Sequence, residues 1–147
     1  MTGTRTAWLR WRVEPTDRHR PITILGMLGL LAGALMAALG LPPVDLHGPL
    51  HHMGIMDPFC GGTRAAYYTL RGQGALAWRY NPLGLLAVLA ASVAVARAAA
   101  GLLTRRWMNV ATSWSPARRR AVVAAVVVAA ATLEVRQQMI APLLMAR

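Results

Sequence analysis

The sequence predicts an all-α integral membrane protein: three transmembrane helices, with a short helical external loop between the first and the second. Three observations predict it. Only 14% of the 147 residues are charged and 56% are hydrophobic, whereas soluble domains carry about 25% charged residues. Mean hydropathy is +0.41. The apolar residues gather into long runs, with the charges batched between them, the pattern of a chain dissolved in lipid rather than water. A single cysteine, Cys60, excludes a disulfide scaffold.

The first span reads from Ile22 to Leu41, without a charge, and closes at Pro42-Pro43. At 1.5 Å per residue it covers about 30 Å, the thickness of the hydrocarbon core. It is too long for the apolar region of a signal peptide. The second span, 82–103, opens at Asn81-Pro82, an N-cap followed by a first-turn proline. Its one charge, Arg97, is about 22 Å deep, within reach of the far interface. The third span, about 118–141, opens in the same way at Ser115-Pro116. Near its far end it carries Glu134, Arg136, Gln137 and Gln138, which should face protein or water, and Pro142 should kink or end it.

All 16 basic residues are arginine. Five lie in the basic segment 1–21, five in or beside the 104–117 connection and three in the 42–81 loop. The positive-inside rule then places the N-terminus and 104–117 in the cytoplasm, and the 42–81 loop and the C-terminus outside, in a domain spanning 22–147. A nucleic-acid footprint needs arginines on one folded face rather than flanking apolar runs, so no nucleic-acid partner is expected. Trp8, Trp11, Trp78, Trp107 and Trp114 all lie outside the apolar runs, as an interfacial belt requires. Trp8 and Trp11 share one face if the N-terminal segment is an amphipathic helix on the inner leaflet. Gly26, Gly29, Gly33, Ala37 and Gly40 offer the first span a small-residue face for packing within the chain.

The external loop holds the one specific motif, Asp57-Pro58-Phe59-Cys60-Gly61-Gly62-Thr63-Arg64-Ala65. Thr63 is the expected N-cap of a short helix to Leu70, broken by Gly72-Gln73-Gly74 before a second one over 75–80. With Asn81-Pro82-Leu83 and the later Arg136, this loop resembles a bacterial membrane-protein family catalogued only as domain of unknown function 2752. Its motif reads C-P-x-C-G-x-T-R-A, and the resemblance extends over roughly residues 22 to 140. It implies the architecture and the position of the loop, and no activity. The family's cysteines resemble a metal or disulfide framework. Here Asp57 stands where the motif has its first cysteine, and His47, His51 and His52 stand upstream.

Three chemical readings of the loop follow. His47, His51, His52, Asp57 and Cys60 supply donor types that zinc accepts, but their spacing matches no zinc pattern, so no cofactor is expected. Cys60, near a helix N-terminus and Arg64, would be a nucleophile if its pKa were lowered, with His51 or His52 as base. The reading preferred on the sequence is a structural clamp in which Glu134 pairs with Arg64 or Arg79.

No catalytic set is visible. The function expected is therefore a small accessory or scaffold component presenting its external loop to a membrane or envelope partner. The alternative is a membrane-embedded enzyme or ligand-binding protein with Cys60, Arg64, Glu134 and Arg136 at its centre. The absence of a detectable inverted repeat argues against a transporter.

Overall fold

A computed structural model describes residues 9–41, 51 and 53–145. The chain is mostly helical, with three helices long and apolar enough to cross a membrane. These are α1 (Arg20–Leu39), α4 (Pro82–Thr104) and α5 (Pro116–Met139). Between α1 and α4 lie the short helices α2 (Gly62–Leu70) and α3 (Gly74–Tyr80), and α6 (Ala141–Met145) follows α5.

The local signals position these elements. Asn81 caps α4, its Oδ1 accepting from the N–H groups of Leu83 at 2.8 Å and Gly84 at 3.4 Å. Ser115 Oγ accepts from Arg118 N at 3.3 Å, so both proline-led helices start where an N-cap oxygen meets an orphan N–H. The backbone leaves helical geometry at Ile140, two residues before Pro142, whose ring clashes with a continuing helix. Thr63 is not a cap. Gly61 takes that position at φ 77°, and α2 starts at Gly62.

The all-α expectation is corrected by a two-stranded antiparallel ribbon. β1 (Leu9–Glu14) pairs with β2 (Trp107–Thr112), in a register from Leu9↔Thr112 to Glu14↔Trp107. Residues 9–14 are therefore a strand and not an amphipathic helix; Trp8 lies outside the described residues. The physical reason is a partner the helical reading did not supply. Leu9, Trp11 and Val13 alternate with Arg10, Arg12 and Glu14, a period of two that suits a pleated ribbon.

The ribbon is fixed to the helix ends by polar contacts. Asn109, buried, donates through Nδ2 to Glu14 Oε2 and Thr16 O, each at 2.9 Å, and its Oδ1 accepts from Arg18 N at 3.2 Å. His19 Nε2 accepts from Val110 N at 3.2 Å. Arg97 pairs with Asp17, and its guanidinium lies 5.8 Å from the Trp107 ring centroid. Trp107 in turn sits over Gly101, where a Cβ would stand 2.5 Å from the ring. Arg97 thus turns toward this end of the molecule, as its position in α4 predicts.

Helices α1 and α4 pack side by side, with Gly26 against Ala91 and Gly33 under Leu70 of α2. A Cβ at Gly29 would meet nothing within 4 Å; Gly29 lines a lateral groove of about 560 Å³ bounded by α1, α4 and the start of α2. Helix α5 differs. Every residue from Pro116 to Thr132 is exposed, and burial begins only near its C-terminal end.

Candidate functional site

The C-terminal end of α5 meets the 53–81 segment, and here the chain's polar side chains concentrate. Three consecutive residues of α5 hold the segment in place. Arg136 donates to the carbonyls of Trp78 at 2.8 Å and Arg79 at 3.1 Å. Gln137, fully buried, donates through Nε2 to Cys60 O and, at 2.9 Å, to Tyr80 O, while its Oε1 accepts from Arg136 at 2.7 Å. Gln138 Oε1 accepts from Met56 N at 3.0 Å and its Nε2 donates to Gly54 O at 2.9 Å. Their targets are the last carbonyls of α3 and loop groups at Gly54, Met56 and Cys60, backbone groups that lack a helix partner and are costly to leave unpaired when buried.

Asn81 works from the other side. Beyond its capping role, its Nδ2 donates to Pro58 O at 3.0 Å and Cys60 O at 2.9 Å, so one buried side chain ties the motif to the start of α4. Gly61 turns the chain at positive φ against Leu144, where a Cβ would stand 2.8 Å from Cδ2. At Gly84 a Cβ would stand 2.7 Å from Gly62 O and 2.8 Å from Ala65 Cβ. These contacts show why Gly61 and Gly84 carry no side chain. Arg64 reaches Leu143 O at 3.5 Å and lies 5.6 Å from the Tyr80 ring centroid, with Tyr68 stacked on Tyr80 at 5.3 Å.

The expected clamp is corrected. Glu134 is exposed and, among the described residues, forms no ion pair with Arg64 or Arg79. Its carboxylate leaves α5 on a face away from the cap, since positions two apart on a helix diverge. The clamp is made instead by Arg136, Gln137 and Gln138 on backbone carbonyls and N–H groups. Of the alternative centre, Arg64 acts on the Cys60 thiol, Arg64 and Arg136 are engaged on different carbonyls, and Glu134 is exposed.

The nucleophile reading of Cys60 needs a lowered pKa, and its surroundings act the other way. Burial, with the nearby Asp57 carboxylate, pushes the thiol above its ordinary value of 9.0, against smaller lowering by Arg64 and the Gly61 N–H. A neutral buried thiol is a poor nucleophile. Its surroundings are unusual in another way. Cys60 Sγ lies 3.3 Å from His51 Nδ1 and 3.5 Å from Met56 Sδ, inside an apolar cluster with Ala141, Leu144, Tyr80 and Ile140. Asp57 is turned away, its Oδ1 accepting from Phe59 N at 2.7 Å. His47 and His52 lie outside the described residues. Met56 is the contributor that sequence reasoning missed. Its signal was the spacing His51-x4-Met56-x3-Cys60, which fits no zinc pattern because a thioether is not a zinc ligand type.

The fold and this cap define a three-helix protein of candidate multi-pass membrane class, with a polar cap tied to one end. Residues 49–95 match the family model described as "Protein of unknown function (DUF2752)". That is the family the loop motif resembles, and the match covers the cap and the first part of α4. No curated protein and no solved structure matches the chain.

Proposed function

We propose that the chain is a three-span protein of a bacterial cell membrane, lying N-terminus in and C-terminus out, and that it presents its 53–81 cap to a membrane or envelope partner. The observation that carries this reading is the separation of polar and apolar surface. Side-chain networks occupy the two ends of the molecule, at the ribbon and at the cap. Between them Leu25, Leu28, Leu31 and Leu35 of α1 and Val122, Val123 and Val126 of α5 are exposed, as a lipid-facing belt would be. The ribbon end carries Arg10, Arg12, Arg105, Arg106 and Arg118–Arg120, which supports a cytoplasmic assignment.

The cap's side chains hold backbone in place rather than aligning reactive groups, which favours an interaction role over catalysis. Phe59, 71% exposed at the edge of the lateral groove, and Ile55 and Trp78 are among the cap's exposed apolar side chains. Such aromatics suit a contact surface. A photo-crosslinking residue in place of Phe59 or Trp78, activated in the native host, tests this. The expected result is one discrete protein adduct identified by mass spectrometry. Adducts with lipid alone would contradict it. A ligand-binding reading draws support from a single observation, the meeting of Cys60 with His51 and Met56.

A further inference from the structure

We infer that His51, Met56 and Cys60 form a binding site for one soft monovalent metal ion, copper(I) in chemical class, inside the cap. An imidazole nitrogen and a thioether sulfur, His51 Nδ1 and Met56 Sδ, each lie against the Cys60 thiol sulfur. His51 is 9% exposed, Met56 1% and Cys60 4%. Tetrahedral or trigonal placement around an ion about 2.3 Å from sulfur and about 2.0 Å from nitrogen puts neighbouring donors roughly 3.5–4.0 Å apart. The observed separations of 3.3 and 3.5 Å need to open by only a few tenths of an ångström, within the reach of a methionine with three rotatable bonds.

Donor chemistry selects the ion. Thiolate with thioether suits copper(I), whereas zinc is held by thiolate, imidazole and carboxylate. Among the described residues no three of His, Cys, Asp and Glu gather, so a zinc set is not assembled from them. Charge points the same way. Binding replaces the proton on Cys60 Sγ, which leaves to solvent, so the coordinated thiolate carries one negative charge while His51 and Met56 stay neutral. The nearby Asp57 carboxylate and Arg64 guanidinium act on Cys60 in opposite directions, so a monovalent cation gives a neutral complex, and a divalent one leaves a net positive charge against Ala141, Leu144 and Ile140. Uncompensated charge in such surroundings is strongly disfavoured.

The backbone around the site is fixed independently of any ion. Asn81 and Gln137 both hold Cys60 O, and Gln138 holds Met56 N. The donors are thus carried on a braced frame, the condition under which a site keeps its geometry.

The full-length protein, purified in detergent, is titrated anaerobically against copper(I) bicinchoninate in the presence of ascorbate. The expected result is withdrawal of one copper per chain, with X-ray absorption showing two sulfur neighbours and at least one nitrogen. Zinc(II) should not survive desalting. Cys60→Ser should abolish withdrawal, and Met56→Leu, close in volume, should weaken it at least about tenfold. Circular dichroism and gel filtration establish that each variant is folded; if Cys60→Ser is not, Met56→Leu decides alone. Failure of the native protein to withdraw copper overturns the proposal. So does undiminished binding by Met56→Leu, which would place the ion on other residues. Neither result bears on whether the cap recognises a protein.

Discussion

Gln137 donates its side-chain amide to the carbonyl of Cys60, 77 residues earlier in the chain. The same nitrogen serves Tyr80 O at 2.9 Å, so the end of α5 is joined by one buried group both to the Cys60 motif and to the end of α3. Helix α5 is exposed from Pro116 to Thr132, and its attachment to the rest of the chain rests on this junction with Arg136, Gln138 and the packing of α6.

Gln137→Leu is close in volume and removes the donors, leaving Tyr80 O without this partner while Cys60 O keeps Asn81 Nδ2. A loss of about 1–3 kcal/mol is expected from the one group. Thermal unfolding of the purified protein in detergent should register it, together with faster proteolysis between 53 and 81. An unchanged midpoint would mean that the junction contributes little.

At the opposite end, Asp17 and Arg97 are a pair with side chains 8% and 15% exposed. Removing one partner strands the other, so Asp17→Asn and Arg97→Gln should each destabilise by roughly 3–5 kcal/mol. The double variant should be no worse than either single one. Additive losses in the double-mutant cycle would show that the two residues act independently.

Gly84 and Gly29 separate close approach from helix propensity. Gly84→Ala should destabilise by about 1–3 kcal/mol, because the new methyl meets Gly62 O and Ala65. Gly29→Ala, with open space around it, should be neutral or stabilising by up to about 1 kcal/mol. Equal effects would contradict the packing described for the motif.

The raised thiol of Cys60 has a definite pH signature. Its proton is held more tightly in the folded chain than in the unfolded one. The associated stability is therefore complete below the ordinary value of 9.0 and falls as pH rises from there through the higher folded value. The pH midpoint of iodoacetamide alkylation should lie above 9.0 in the folded protein and fall back toward it in urea. A midpoint below that value in the folded state would restore the nucleophile reading.

What was legible in the sequence was local or periodic. Asn81-Pro82 and Ser115-Pro116 mark helix starts because the capping oxygen and the N–H groups it serves are three residues apart or fewer. The polar run after Leu133 is expected to face protein or water; Arg136, Gln137 and Gln138 face protein, and Glu134 is exposed. The ribbon was missed although Leu9 to Glu14 alternates, since a strand needs a partner and β2 lies 93 residues further on at Trp107. The clamp was assigned to the wrong chemistry for a related reason. Opposite charges invite pairing on paper, but the cap's irregular backbone left carbonyls and N–H groups in greater need of partners than either arginine. Met56 escaped notice because a methionine in a loop has meaning only beside the donors it touches.

The most direct test of the account is the topology of the cap. Single cysteines are placed at Phe59 and at Trp114, both exposed, in a Cys60→Ala background, and intact cells are treated with a membrane-impermeant maleimide. Labelling is expected at position 59 in intact cells and at position 114 only after permeabilisation. Labelling of 114 but not 59 in intact cells would invert the protein, and labelling of both only after lysis would remove the cap from the outer surface.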